Sequence, residues 1–135
     1  MADDAILEAE DATHSEERRY EKAYRETRRA LDESLQRLAV LKELEMDPDV
    51  RSDIGEQMLE LKRSRADLVR ANLAFHTGRA VMQPPSPELV NEIVANSKEV
   101  VELTVERATV AALVKIATKA LTKFAEIHDI NKTRA

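Results

Sequence analysis

The sequence predicts an all-α fold of three long helices in an up-down-up antiparallel bundle with coiled-coil character. Glycine and proline number only two and four among 135 residues, and charged residues reach 35%. Apolar residues recur at alternating steps of three and four, the spacing that keeps one face of a helix against partner helices. This composition is typical of helical bundles and unlike a sheet protein with many turns. We therefore treat residues 1–135 as a single helical domain.

Helix 1 is predicted over about residues 3–46. Its apolar positions keep helical spacing from Tyr20 to Leu44. Before Ser15 the apolar pattern is weak and acidic residues are dense, so we expect that part to fray or to depend on a partner for its order.

Helix 2 is predicted over about residues 48–78. It starts either at Pro48, which suits a first helical position, or at Asp53, which has capping-box spacing to Glu56. Gly78 is the predicted stop, because glycine takes the left-handed conformation without steric cost.

A proline-rich linker over residues 79–86 leads to helix 3, which is predicted over about residues 87–128. Its seven-residue repeat continues from Leu89 to His128 without interruption. Asn96 and Arg107 are polar residues within this apolar seam. Because a polar residue in a seam commonly fixes how helices pair, we predict that both restrict the register of helix 3.

Helix lengths predict an interface near the end of helix 3. Helix 3 would be about 60 Å long, whereas helix 2 would reach only about 36 to 45 Å at the usual rise per residue. The last part of helix 3 should then overhang the bundle with its apolar side chains uncovered. The residues predicted to meet a second copy there are Val114, Ala117, Leu121, Phe124 and Ile127.

The net charge of −5 lies in the first third of the chain. Residues 1–48 carry 14 acidic against 8 basic residues, whereas the remainder is balanced. This distribution disfavours nucleic-acid binding and favours a protein partner with a basic or apolar surface.

The sequence contains no motif that is typical of a catalytic, metal or cofactor site. There is no cysteine, so disulfides and thiolate metal sites are excluded. His14, His76 and His128 lie on different predicted helices, and none belongs to the Glu-x-x-His motif of a di-iron bundle. No glycine-rich phosphate loop and no nucleophile with a positioned base occurs. We predict no metal site, no cofactor and no enzymatic activity.

The cellular location follows from two further observations. No uncharged apolar run approaches the roughly 18 residues that a membrane span needs, and no basic stretch followed by an apolar core opens the chain. We therefore expect a cytoplasmic protein without a membrane span. A weaker alternative is action at a membrane surface, with Lys115, Lys119 and Lys123 flanking an inserted face of helix 3.

Two functional hypotheses remain from the sequence. The first is a non-enzymatic helical assembly or adaptor protein that acts through coiled-coil surfaces as a homo-oligomer. The alternative is a small acidic chaperone, antitoxin or immunity-type binder that masks a basic or apolar surface of one specific protein partner.

Overall fold

The described part of the chain folds into four α-helices, so the all-α prediction is confirmed and the predicted number of three helices is wrong. A computed structural model describes the backbone of residues 2–78 and 84–134 and the side chains of residues 15–78 and 84–127. The helices are α1 (Ala2–Leu44), α2 (Pro48–His76), α3 (Pro87–Glu102) and α4 (Val110–Arg134). No strand occurs within the residues described.

The single helix predicted over residues 87–128 is wrong, because the chain turns back at residues 103–109. α3 ends where Leu103 takes an extended conformation, with φ −59° and ψ 128°. The Arg37 guanidinium of α1 donates to the carbonyls of Val101 and Leu103 at 2.9 and 2.8 Å. A cation is favoured at this negative end of a helix, so Arg37 caps α3 in place of the glycine that ends many helices.

Residues 103–109 also hold themselves together through local hydrogen bonds. The Thr104 carbonyl accepts from the amides of Arg107 and Ala108 at 3.0 and 2.9 Å. The Thr109 hydroxyl oxygen accepts from the Ala112 amide at 3.2 Å, which satisfies a free N–H in the first turn of α4. We call residues 103–109 the α3–α4 turn.

The two ends of α2 and the start of α3 are formed by residues close to them in the sequence. α2 begins at Pro48, the first of its two possible starts, with the Asp47 carboxylate accepting from the Asp49 amide at 2.9 Å. Gly78 follows α2 with φ 73°, a conformation that an L side chain rarely adopts. At the start of α3, the Ser86 hydroxyl oxygen accepts from the Leu89 amide at 3.1 Å.

Two sequence expectations fall on residues that the structure does not describe in full. Residues 79–83 of the proline-rich linker lie outside the described part of the chain. The expected partner-dependent order before Ser15 concerns residues whose side chains are likewise outside it.

Polar contacts between helices define their directions. On α1 and α2, Asp32 pairs with Arg65 at 2.9 Å, and the Tyr20 hydroxyl donates to Asn72 Oδ1 at 3.1 Å, so the two helices are antiparallel. Burial of Tyr20 also raises the pKa of its hydroxyl.

The remaining contacts complete an up-down-up-down path. Arg19 Nε donates to the Pro85 carbonyl at 3.0 Å near one end of α1, and Arg37 reaches the end of α3 near the other, so α1 and α3 are parallel. The Glu92–Lys123 ion pair, at 2.8 Å, shows that α4 is antiparallel to α3. α1 packs against all three other helices, whereas α2 contacts only α1 and part of α4 among the described residues.

Small residues on α1 form the centre of the core. Ala23, Thr27, Ala30 and Ser34 are fully buried at helical spacing, which lets α3 and α4 approach α1 closely. Larger apolar side chains from the neighbouring helices fill the space around them: Ile54, Leu61, Leu68, Ile93, Val100, Leu113 and Phe124. These side chains supply most of the buried apolar surface that stabilises the bundle.

The overhang that motivated the predicted interface does not exist. Because the chain folds back at the α3–α4 turn, α4 lies beside α1 and α3. Ala117, Phe124 and Ile127 are buried inside the chain itself, and Val114 and Leu121 are partly buried. The premise of the interface is therefore corrected, and nothing in the fold of one chain tests a contact of these residues with a second copy.

Candidate protein-binding site

One end of the bundle exposes an unusual amount of apolar surface. The end of α1 and the α3–α4 turn meet there and enclose a groove of about 430 Å³. We call it the pole groove, and it is lined by Glu33, Gln36, Arg37, Val40, Leu41, Leu44, Leu103, Val105 and Ala108.

Three apolar residues that line the pole groove are open to solvent, whereas Leu41 and Leu103 are partly buried and Ala108 is buried. Val105 is 92% exposed, Leu44 71% and Val40 54%, and Met46 in the adjacent α1–α2 turn is 91% exposed. Single exposed apolar residues are common on protein surfaces, but several that line one concavity are typical of interaction sites. The groove is therefore the strongest candidate binding surface among the described residues.

Acidic residues lie in the pole groove and next to its lining residues in the sequence. Glu33 lines it, and four further glutamates lie beside its lining residues in sequence: Glu43, Glu45, Glu102 and Glu106. The nearby cations are fewer. Arg37 is held on the α3 carbonyls, Lys42 lies over Gly55 of α2, and Arg107 is exposed in the turn. An apolar ligand with a basic flank is the natural complement of this surface.

A second exposed apolar area lies on α2. Leu59, Ala66, Val69 and Leu73 follow one another at steps of seven, three and four, and all four are exposed. Lys62, lying between them in sequence, puts a positive charge on this face. Of these four residues, Leu59 borders a groove of about 380 Å³ beside Lys42 and Lys62. We call this surface the α2 stripe, and it is a weaker candidate than the pole groove.

The two residues predicted to set register occupy different environments. Asn96 is 2% exposed, and its Nδ2 donates to the Ile116 carbonyl of α4 at 2.9 Å. Its Oδ1 has no hydrogen-bond partner among the described residues. Arg107 lies in the α3–α4 turn, so its predicted place in a helical seam is corrected. A role of Asn96 in register stays a prediction, now for the pairing of α3 with α4.

Replacing Asn96 by Leu is expected either to raise the free energy of unfolding or to lower it by less than about 1 kcal/mol. The change removes a buried oxygen without a partner, and the Ile116 carbonyl keeps its place in the α4 backbone ladder. Urea unfolding of this variant beside Asn91→Leu, an exposed site on the same helix, measures the effect. A loss above about 2 kcal/mol for Asn96→Leu alone would show that its hydrogen bond is needed to hold the two helices.

The remaining candidate groups do not assemble into a chemical site. His76 lies 3.6 Å from Glu21 Oε1 on the surface, and the side chains of His14 and His128 lie outside the described residues. Within the described residues, no group of three or more histidines, cysteines or acids is placed to hold a metal ion.

Within the part of α4 whose side chains are described, residues 110–127, the main apolar face packs against the other helices. Its apolar residues Ile116, Ala120 and Phe124 are buried against the other helices. Lys115 and Lys119 are exposed, and Lys123 pairs with Glu92. Among the helices described, none is both long and apolar enough to cross a bilayer.

Comparisons with protein-family models, with curated proteins and with solved structures find no match to this chain. The surfaces of the chain itself are therefore the guide to its function. Sequence reasoning missed the pole groove because it placed residues 103–109 within a helix. One signal was available: Val105 lies outside the seven-residue repeat of the predicted helix 3, and a large apolar residue away from the apolar face of a helix is unexpected.

Proposed function

We propose that this chain is a non-enzymatic protein-binding module whose binding surface is the pole groove. The observation that carries the proposal is the high exposure of Leu44 and Val105, two large apolar side chains that line the same concavity. Burying such side chains against a partner is worth about 1.5 to 3 kcal/mol each. Two or three of them are enough to centre a specific interface.

The proposed partner is another protein that presents an amphipathic segment with apolar anchors and basic flanks. The apolar anchors fit the groove, and the basic flanks complement Glu33 in its lining and the glutamates next to its lining residues in the sequence. By binding such a segment, the chain would act as a small acidic binder that masks a basic or apolar surface of its partner. The cytoplasm is the proposed location, because a chain without cysteine fits a reducing compartment.

A homo-oligomeric assembly is a second candidate. The observation that favours it is the seven-residue repeat of residues 87–128, which continues through the α3–α4 turn as if the helix were unbroken.

A pair of designed peptides tests the groove. One peptide is an amphipathic helix of leucine and lysine, and its match has glutamate in place of lysine. We expect the lysine peptide to bind and the glutamate peptide not to bind, by fluorescence anisotropy. We expect the affinity of the lysine peptide to fall as the salt concentration rises, because the electrostatic screening length shortens to about 8 Å at physiological ionic strength.

Charge-neutral variants locate the binding. The double change Leu44→Gln with Val105→Gln is expected to weaken peptide binding at least tenfold, whereas Leu73→Gln on the α2 stripe should leave it unchanged. Each change removes an exposed apolar group without altering net charge. Equal loss in both variants, or equal binding of the two peptides, would refute a specific groove.

A further inference from the structure

The local sequence of the α3–α4 turn does not require a turn. Residues 103–109 contain neither glycine nor proline, and Val100, Leu103, Arg107 and Val110 keep the three-four spacing of a continuous seam. The turn is held by the Arg37 guanidinium of α1 and by the hydrogen bonds of Thr104 and Thr109.

A straight helix through the turn satisfies the same backbone groups in another way. The carbonyls that Arg37 caps would accept from amides one turn further along the helix. The helix would then run over residues 87–134 and measure about 72 Å. α4 would leave its place beside α1 and α3, where its apolar residues, such as Phe124 and Ala117, are buried.

The vacated place would expose the apolar side chains of α1 and α3 that α4 covers in the closed chain, which favours a segment with the shape and chemistry of α4. We infer that two copies of the chain exchange α4 through a straightened α3–α4 turn, giving a domain-swapped dimer. Each contact of α4 is remade with the other copy, including the Glu92–Lys123 ion pair and the hydrogen bond from Asn96 to the Ile116 carbonyl. The exchange therefore conserves the core contacts of the closed chain.

The straightened turn also accounts for the exposed end of the bundle. Seven helical residues span about 10 Å, so the two bundles would face each other end to end at the pole groove. Leu44 and Val105, which are exposed in the closed chain, would then lie between the two copies. Near the two-fold axis, Glu106 of one copy would lie level with Arg107 of the other, and Arg107 would return to a seam position.

The exchange has one consequence for peptide binding, and only this consequence rests on the proposed function. The dimer covers the pole groove, so dimer formation and binding of the basic peptide compete. Partner binding would then favour the closed monomer.

Cysteine pairs test the exchange directly, since the chain has no cysteine of its own. The first pair, Glu92→Cys with Lys123→Cys, joins α3 to α4 at the positions of an ion pair, whose Glu92 Oε2 and Lys123 Nζ lie 2.8 Å apart. The control pair, Glu21→Cys with His76→Cys, joins α1 to α2, which stay in one chain in both states. Each protein is unfolded and refolded at high concentration, its dimer is isolated by size exclusion, and a short bismaleimide is added.

We expect the α3–α4 pair to give covalent dimers on a denaturing gel and the α1–α2 pair to give monomers with an internal link. A dimer in which both pairs link within one chain would overturn the exchange, and so would the absence of any dimer at millimolar concentration. Peptide binding is measured on the same samples. Binding at the groove without exchange refutes the exchange alone, and exchange without groove-dependent binding refutes the proposed function alone.

Two substitutions at one position test the straightened turn. Alanine favours a helix and glycine disfavours it. The equilibrium constant for straightening the turn should therefore be about fivefold higher per chain in Val105→Ala than in Val105→Gly. Both remove the same exposed side chain. We expect the Ala variant to dimerise about 25-fold more strongly than the Gly variant, because the dimer has two straightened turns and their fivefold factors multiply. Equal dimerisation would contradict a helical hinge.

Discussion

Replacing Phe124 by Ala is expected to lower the free energy of unfolding by about 3 to 5 kcal/mol, the cost of removing a large aromatic side chain from a packed core. Phe124 is 2% exposed, and its ring lies 5.8 Å from that of Tyr20 and 6.1 Å from that of Tyr24, between ring centres. Tyr20 in turn contacts Phe75 of α2 at 4.3 Å. The substitution therefore opens a cavity where α1, α2 and α4 meet.

Urea unfolding followed by circular dichroism measures this loss. Leu121→Ala is the matched control, because Leu121 lies one turn earlier on α4 and is only partly buried. We expect that control to lose about 1 kcal/mol. Equal losses in the two variants would contradict the placement of Phe124 in the core of the single chain.

Replacing Arg37 by Ala is expected to lower the free energy of unfolding by about 2 to 3 kcal/mol. The change removes two hydrogen bonds from a charged group to the carbonyls of Val101 and Leu103. It also removes a cation from the negative end of α3. Because the closed turn loses its cap, the Ala variant should also form more of the exchanged dimer.

Arg37→Lys separates charge from geometry. Lysine keeps the positive charge but lacks the planar fork that reaches two carbonyls at once, so we expect an intermediate loss. Calorimetry at low protein concentration measures the monomer, and light scattering measures the dimer. If the Ala and Lys variants both unfold like the parent chain, Arg37 does not hold the α3–α4 turn.

The helix ends that the sequence identified have local causes. Asp47 with Pro48, Gly78, and Ser86 with Pro87 each end or start a helix through bonds within a few residues. Such signals can be read from a short stretch of sequence. The buried residues of α2, Ile54, Leu61 and Leu68, recur every seven residues, so they follow from periodicity in the same way.

The α3–α4 turn has a distant cause and could not be read from its own residues. The group that caps α3 is Arg37, 66 residues before Leu103 in the chain. A continuous seven-residue repeat made the unbroken helix the reasonable expectation, and the length argument for an overhang followed from it. The pole groove was missed for the same reason, since Leu44 and Val105 come together only when the chain turns back.

The central claim is that the pole groove binds a basic, apolar segment of another protein. Methyl NMR spectra of leucine and valine side chains during titration with the leucine–lysine peptide test it most directly. We expect the largest chemical-shift changes at Val40, Leu44, Leu103 and Val105. The methyl signals of the α2 stripe, from Leu59, Val69 and Leu73, should not move. Shifts that concentrate on the α2 stripe, or that spread evenly over both surfaces, would contradict it.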